Sequence, residues 1–290
     1  MKSLEIYTLE NFIAKNDDNI ILGSFESFHI GHFKVFEETL QYSGRKILFV
    51  FNQETFEFKN KGEFFQSNIA SYFNLAQLNL DLIVEIDFRS IKNLSAFEFI
   101  KKISHNENVK IFAGEDFKLG NDLLKLKEIN LEDLNISCIT VPIFKVNNTK
   151  ISTRFLKEMI EFGDVKTANE LLVFNFTING IFEEGKILFN AKQLLPHKGF
   201  YVAKLYINNL IYFSLIHINA NKEIRWYSID KEFEFLNKIN NTNCYIEFID
   251  KIYLVTSKFD DILKEEYKAI AKKIILVNEK NNLNDIIKQL

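Results

Sequence analysis

The chain has 290 residues, a formal net charge of -3, 47% hydrophobic and 26% charged side chains. That balance belongs to a folded protein with room for two domains, and it argues against extended disorder and against binding nucleic acid by backbone neutralisation. No apolar run approaches the roughly 20 residues that span a bilayer, and Met1 to Asn11 is polar and acidic, unlike a signal peptide. The expectation is a cytoplasmic protein whose two cysteines, Cys138 and Cys244, are reduced core thiols in apolar stretches.

Asn19 to Leu22 is short and apolar, the pattern of a buried strand. Gly23 and Ser24 follow, and from His32 to Leu40 apolar residues at Phe33, Val35, Phe36 and Leu40 fit one face of a helix. A helix start after a buried parallel strand aims free N–H groups and a positive dipole at the intervening loop, which favours phosphate. His29 and His32 would project there, and imidazoles donating to phosphate oxygens stabilise charge at a five-coordinate phosphorus. The competing readings are a surface pair or a partial metal site. His105, His197 and His217 bring no carboxylate or cysteine at a spacing that completes a zinc set, so no metal site is assigned.

Further strands are predicted at Lys46–Phe51, Asp81–Phe88, Val109–Ala113 and Ile136–Phe144, with a loop over Gln53–Lys61. Helices are predicted at Phe64–Leu78 and at Ser95–Ile103, the second with Ser95 as N-cap. Alternation of this kind gives a parallel α/β sheet with ligands beyond the carboxyl ends of the strands, where Gly23, Asn52 and Gly114 all fall. Ser152, Thr153 and Arg154 open a helix through Met159, with a second at Val165–Leu172; hydroxyls there are either caps or phosphate ligands. Arg154 is one of four arginines in a lysine-rich chain, and its fork suits phosphate.

From Phe174 the pattern changes to β-rich runs at Phe174–Phe182, Gly199–Tyr206, Leu210–His217, Glu223–Ile229 and Asn243–Val255, then a helix at Lys258–Leu276. The expected domains are therefore 1–173, Rossmann-like with a parallel sheet, and 174–290, a small antiparallel barrel or sheet with a C-terminal helix.

These residues resemble the bacterial bifunctional riboflavin kinase/FAD synthetase family. Gly23, Phe25, His29, Gly31 and His32 match its G-x-F-D-G-x-H-x-G-H signature, with Glu26 and Ser27 departing from it. Gly114, Asp116, Phe117 and Gly120 match a G-x-D-F-x-F-G loop. Ser152, Thr153 and Arg154, then Gly163, Asp164, Val165, Ala168, Asn169, Leu171 and Leu172, match S-S-T-R-x-R and G-D-V-x-x-A-N-x-L-L; the final arginine of the first of these falls on Leu156.

The resemblance implies an FMN adenylyltransferase that makes FAD and pyrophosphate from ATP and FMN with magnesium. His29 and His32 would stabilise the transition state, and Gly23, Ser24, Phe25 and Gly31 would lie under the adenosine and phosphates. Ser152, Thr153 and Arg154 would grip the triphosphate, and Asn52 and Asp116 would seat FMN. The family's kinase barrel carries a P-T-A-N phosphate loop, whereas Gly180 to Pro196 encloses only IFEEGKILFNAKQLL. With Glu232 as the match to the barrel's carboxylate, the expectation is a retained barrel fold without kinase activity. Two alternatives stand beside it: a bifunctional enzyme with a rewired loop, and a flavin-binding or interaction protein without turnover. Neither a nucleic-acid nor a membrane partner is expected, and the sequence leaves the oligomeric state open.

Overall fold

The computed structural model describes residues 4–53, 62–132 and 134–289. It divides into two compact units, Met1–Thr153 and Arg154–Leu290.

In the first unit the strands are β1 (Glu5–Thr8), β2 (Asn19–Leu22), β3 (Lys46–Phe51), β4 (Leu82–Ile86), β5 (Val109–Gly114), the hairpin β6 (Lys118–Leu119) and β7 (Leu124–Lys125), β8 (Ile136–Val141), and the hairpin β9 (Lys145–Val146) and β10 (Thr149–Lys150). Its helices are α1 (Ile30–Glu38), α2 (Asn68–Leu75), α3 (Phe88–Ile91) and α4 (Ala96–Ser104). The main sheet is parallel throughout, in the order β1-β4-β3-β2-β5-β8.

Strands buried on both faces read as unbroken apolar runs rather than alternating ones. One face of β2 to β5 (Ile20, Leu22, Ile47, Phe49, Val84, Ile111) packs with Phe99, Ile100 and Ile103 of α4. The opposite face is equally dry at Ile21, Leu48, Ile83 and Phe112. Helix α4 starts where Ser95 and Glu98 form a reciprocal capping box. The sheet changes direction at β2, since β3 and β4 extend from one side of it and β5 from the other. The carboxyl ends of β2 and β5 therefore frame the switch point at which open α/β sheets bind ligands.

The second unit begins within α5 (Thr153–Glu161), followed by α6 (Val165–Leu171) and the strands β11 (Thr177–Glu183), β12 (Lys186–Leu188), β13 (Gly199–Ile207), β14 (Leu210–Ile218), β15 (Ile224–Ser228) and β16 (Thr242–Leu254). These close an antiparallel barrel in the order β11-β12-β15-β14-β13-β16. Its interior is filled by side chains, among them the fully buried Tyr201, Phe182, Phe248 and Trp226, whose indole N–H donates to Ser214 Oγ at 2.7 Å. Outside it, α7 (Glu265–Gln289) lays Tyr267 and Ala271 on Phe200, Val202 and Leu215.

Most predicted elements stand within a few residues of their expected bounds; the differences have physical causes. Helix α6 counts with the barrel rather than with residues 1–173, because Asn169 donates to the Phe248 carbonyl at 2.8 Å and accepts from the Phe176 N–H at 2.8 Å. Helix α2 is capped by Ser67 and is shorter than predicted, with Phe64 and Phe65 buried ahead of it. The C-terminal helix starts at Glu265, after a short 3-10 turn at Lys258–Asp260. Cys138 corrects an expectation: it lies exposed on β8, the edge strand, while Cys244 alone is a buried thiol, pushed by burial up to about 12. Except for Gln53, the expected loop over Gln53–Lys61 lies outside the described residues. Among the described residues, no helix is long and apolar enough to cross a membrane.

Trp226 is the only tryptophan in the chain, so its fluorescence reports on the barrel. Ser214→Ala leaves the buried indole N–H unpaired and should lower barrel stability by about 1–3 kcal/mol, measured by denaturant titration of Trp226 emission.

Candidate active site

The loop from Gly23 to Phe28 joins the buried β2 to α1. Phe25 sits in it with φ of +40°, a conformation bulky side chains rarely adopt and one found at functional turns. Its ring folds back over Gly23, where an added Cβ would come within 2.6 Å of the ring, and meets the His32 ring edge-on at 4.9 Å. Phe25, expected under the adenosine, thus has a ring that supports His32; Ser24 beside it is half-buried.

His29 is the N-cap of α1. Its Nδ1 accepts from the backbone N–H of His32 at 3.3 Å, so in the neutral ring the hydrogen is on Nε2. His32 has the opposite tautomer: its Nδ1 lies 2.6 Å from the Ser27 carbonyl, which can only accept, so Nε2 is bare while the ring is neutral. The two rings stack at 3.7 Å with 14° between their planes. Gly31 permits this, since a Cβ there would press on the His29 ring at 3.1 Å. Burial, then the charge of Lys150, holds the His29 pKa down to about 4; burial and then His29 itself hold His32 well below the ordinary range. Both rings are neutral at pH 7, and one of them presents an N–H.

Ser27, fully buried, shares a 2.8 Å hydrogen bond with the Thr153 hydroxyl, which brings the Ser152–Thr153 segment against the histidine loop. Glu26, in place of the family's Asp, accepts from the Phe65 N–H at 3.0 Å. Past the end of β5, Asp116 forms an ion pair with Lys150 of β10, and Glu115 accepts from the Ile143 N–H at 3.1 Å.

Asn52 belongs to a second cluster, at the ends of β3 and β4. It donates to Glu85 at 2.7 Å, and Tyr72 and Asn68 also converge on that carboxylate. Burial raises the Tyr72 hydroxyl far above the ordinary phenol range.

Arg154 lies in the second unit with its side chain 91% exposed, bonded to Glu158 at 3.2 Å. Leu156, on which the resemblance would place an arginine, is fully buried. Glu232 is exposed on the 3-10 helix Lys231–Lys238.

Sequence reasoning missed Lys150, Glu85, Asn68 and Tyr72. Only Glu85 left a signal, a carboxylate inside the apolar run of a buried strand.

Residues 13–155, which contain this site, match the family model described as FAD synthetase. Residues 13–155 are those of an FAD synthetase domain. The bifunctional riboflavin kinase/FMN adenylyltransferase of Buchnera aphidicola is 25% identical, over 95% of this chain and 97% of that protein. The FAD synthetase of Listeria monocytogenes is 24% identical, over 65% of this chain and 83% of that protein. A crystal structure titled as a macrolide-efflux protein from Streptococcus pneumoniae aligns with a TM-score of 0.70 at 19% identity, over 86% of this chain and all of that one, and shows the shared fold alone.

In this FAD synthetase domain the buried histidines make the first unit acid-sensitive. The unfolded chain takes up a proton on His29 near pH 6.5 and the folded one only near 4, so stability present above about 6.5 is lost as pH falls toward 4. His29 accounts for a loss on the order of 3 kcal/mol. Denaturant unfolding from pH 7 to 4 should show this slope in the wild type and a flatter one in His29→Gln, and the histidine NMR signals of the pair should not titrate between about pH 5.5 and 8.

Proposed function

We propose that the chain is an FMN adenylyltransferase, transferring the adenylyl group of ATP to FMN to give FAD and pyrophosphate. The observation that carries this reading is the stacked, neutral pair His29–His32 at the β2/β5 switch point, with a hydrogen-bond donor at His29 Nε2. A phosphate oxygen of FMN attacks the α-phosphorus of ATP; the new P–O bond forms as the bond to the β-phosphate bridge oxygen breaks, and pyrophosphate leaves with that electron pair. The nucleophile is already an anion, so the reaction needs no general base. Positioning and charge stabilisation supply the rate.

His29 donates to the α-phosphate as charge builds. His32, its own N–H held by the Ser27 carbonyl, fixes the stack, and its bare Nε2 donates only if the nucleotide's charge protonates it. Gly23, Ser24, Phe25 and Gly31 form the floor under adenosine and phosphates. Ser152, Thr153 and Arg154 serve the triphosphate, and Asn52 and Asp116 serve FMN. Magnesium, in this reading, enters with the substrate as MgATP.

The barrel domain, in this reading, has kept its fold without riboflavin kinase activity. The absence of Pro-Thr-Ala-Asn between Gly180 and Pro196 supports this, and so does the exposure of Glu232. The buried Leu156 favours one other reading, a flavin-binding protein that no longer turns over.

His29→Ala should lower kcat for FAD formation by about 100-fold or more, the scale of a lost oxyanion-type donor, and His32→Ala should lower it by removing the ring that His29 stacks on; unchanged FAD formation in both would sink the assignment. With riboflavin, ATP and magnesium, the wild type should form no FMN, and chromatographic detection of FMN would overturn the loss of kinase activity. Flavin binding without pyrophosphate release would favour the non-catalytic reading.

A further inference from the structure

We propose that Lys150 is the cation that receives the triphosphate of ATP, and that Asp116 holds it in place until the nucleotide arrives; this rests on the adenylyltransferase reading. The charge balance of the site asks for such a group. Both imidazoles are neutral, and the start of α1 contributes about half a positive charge, while the nucleotide brings several negative ones. Among the described residues, Lys150 is the cation whose field is felt at both rings.

Its backbone is fixed on both sides. Upstream is the tight turn at Asn147 and Asn148, with φ of 48° and 63°, the conformation that two-residue hairpin loops adopt. Downstream, Ile151 is buried and Thr153 is bonded to Ser27 in the histidine loop. Both partners of the ion pair are partly exposed, Lys150 at 51% and Asp116 at 39%. An ion pair so exposed adds little stability, so exchanging the carboxylate for a phosphate costs little, and charge-assisted bonds to a multiply charged phosphate outcompete it. The exchange also releases the Asp116 carboxylate at the end of β5, where the flavin is expected. Nucleotide and flavin binding are therefore coupled through one lysine.

The test measures calorimetric binding of α,β-methylene-ATP with magnesium to the full-length wild type, Lys150→Met and Lys150→Arg. Lys150→Met should weaken binding about tenfold or more, with Lys150→Arg largely restoring it. Lys150→Met should also bind FMN without nucleotide as tightly as the wild type does with the analogue present, read by flavin fluorescence. A hairpin residue with only a packing role would not produce that second result. Should Lys150→Met fail to fold, Lys150→Gln takes its place in both measurements. Wild-type affinity for the analogue in the folded variant overturns the proposal, as does an arginine variant as weak as methionine. FAD formation followed in parallel separates the two readings. A wild type that binds the analogue through Lys150 yet forms no FAD refutes the adenylyltransferase and leaves the lysine's role standing; FAD formation with an indifferent Lys150→Met refutes only the lysine.

Discussion

Two imidazoles stacked at 3.7 Å cannot readily both become cations, and much of the histidine loop's packing follows from keeping them neutral. Burial does most of it, which requires a loop that closes over the rings. The positive φ of Phe25 turns its ring back beneath His32, the bare face of Gly23 accepts that ring, and Gly31 leaves the space His29 occupies. Each ring then has one nitrogen committed to the backbone, so the tautomers are fixed in opposite senses. The G-x-F-x-x-x-H-x-G-H spacing is the sequence trace of that packing. Its glycines are there for the rings before they are there for any nucleotide.

The second unit solves a different problem. Its barrel interior is solid, filled by large apolar side chains with the one indole satisfied by a serine. Helix α6 is joined to it by an asparagine that bonds at both ends of its amide. In the motif running from Gly163 to Leu172, Asn169 therefore serves the barrel, whereas Thr153 upstream is bonded to the histidine loop. One contiguous stretch of sequence divides its loyalties at the helix between them.

The sheet was legible because strands buried on both faces cannot alternate: NIIL, KILFVF and VKIFAG announce themselves. The strand β1 was not, since it lies exposed at the sheet edge and carries no apolar run. The strand β12 has three residues, too few for a periodicity. The histidines could be found from their spacing, and Asp116 from its loop. Lys150 could not, because one lysine among many acquires meaning only when the fold sets it against a particular carboxylate. The edge position of β8 likewise decides that Cys138 is exposed, and an apolar neighbourhood in sequence does not encode which strand ends up outermost.

The hydrogen bond between Ser27 and Thr153 joins residues 126 apart in the chain. A contact of that span closes late, because the entropy of a long loop must be met before the bond returns anything. During synthesis, the strand, turn and first helix leave the ribosome long before the residue that fastens them. The histidine loop is thus fastened to Thr153 only after the intervening chain has been made, so a half-made chain lacks that tie.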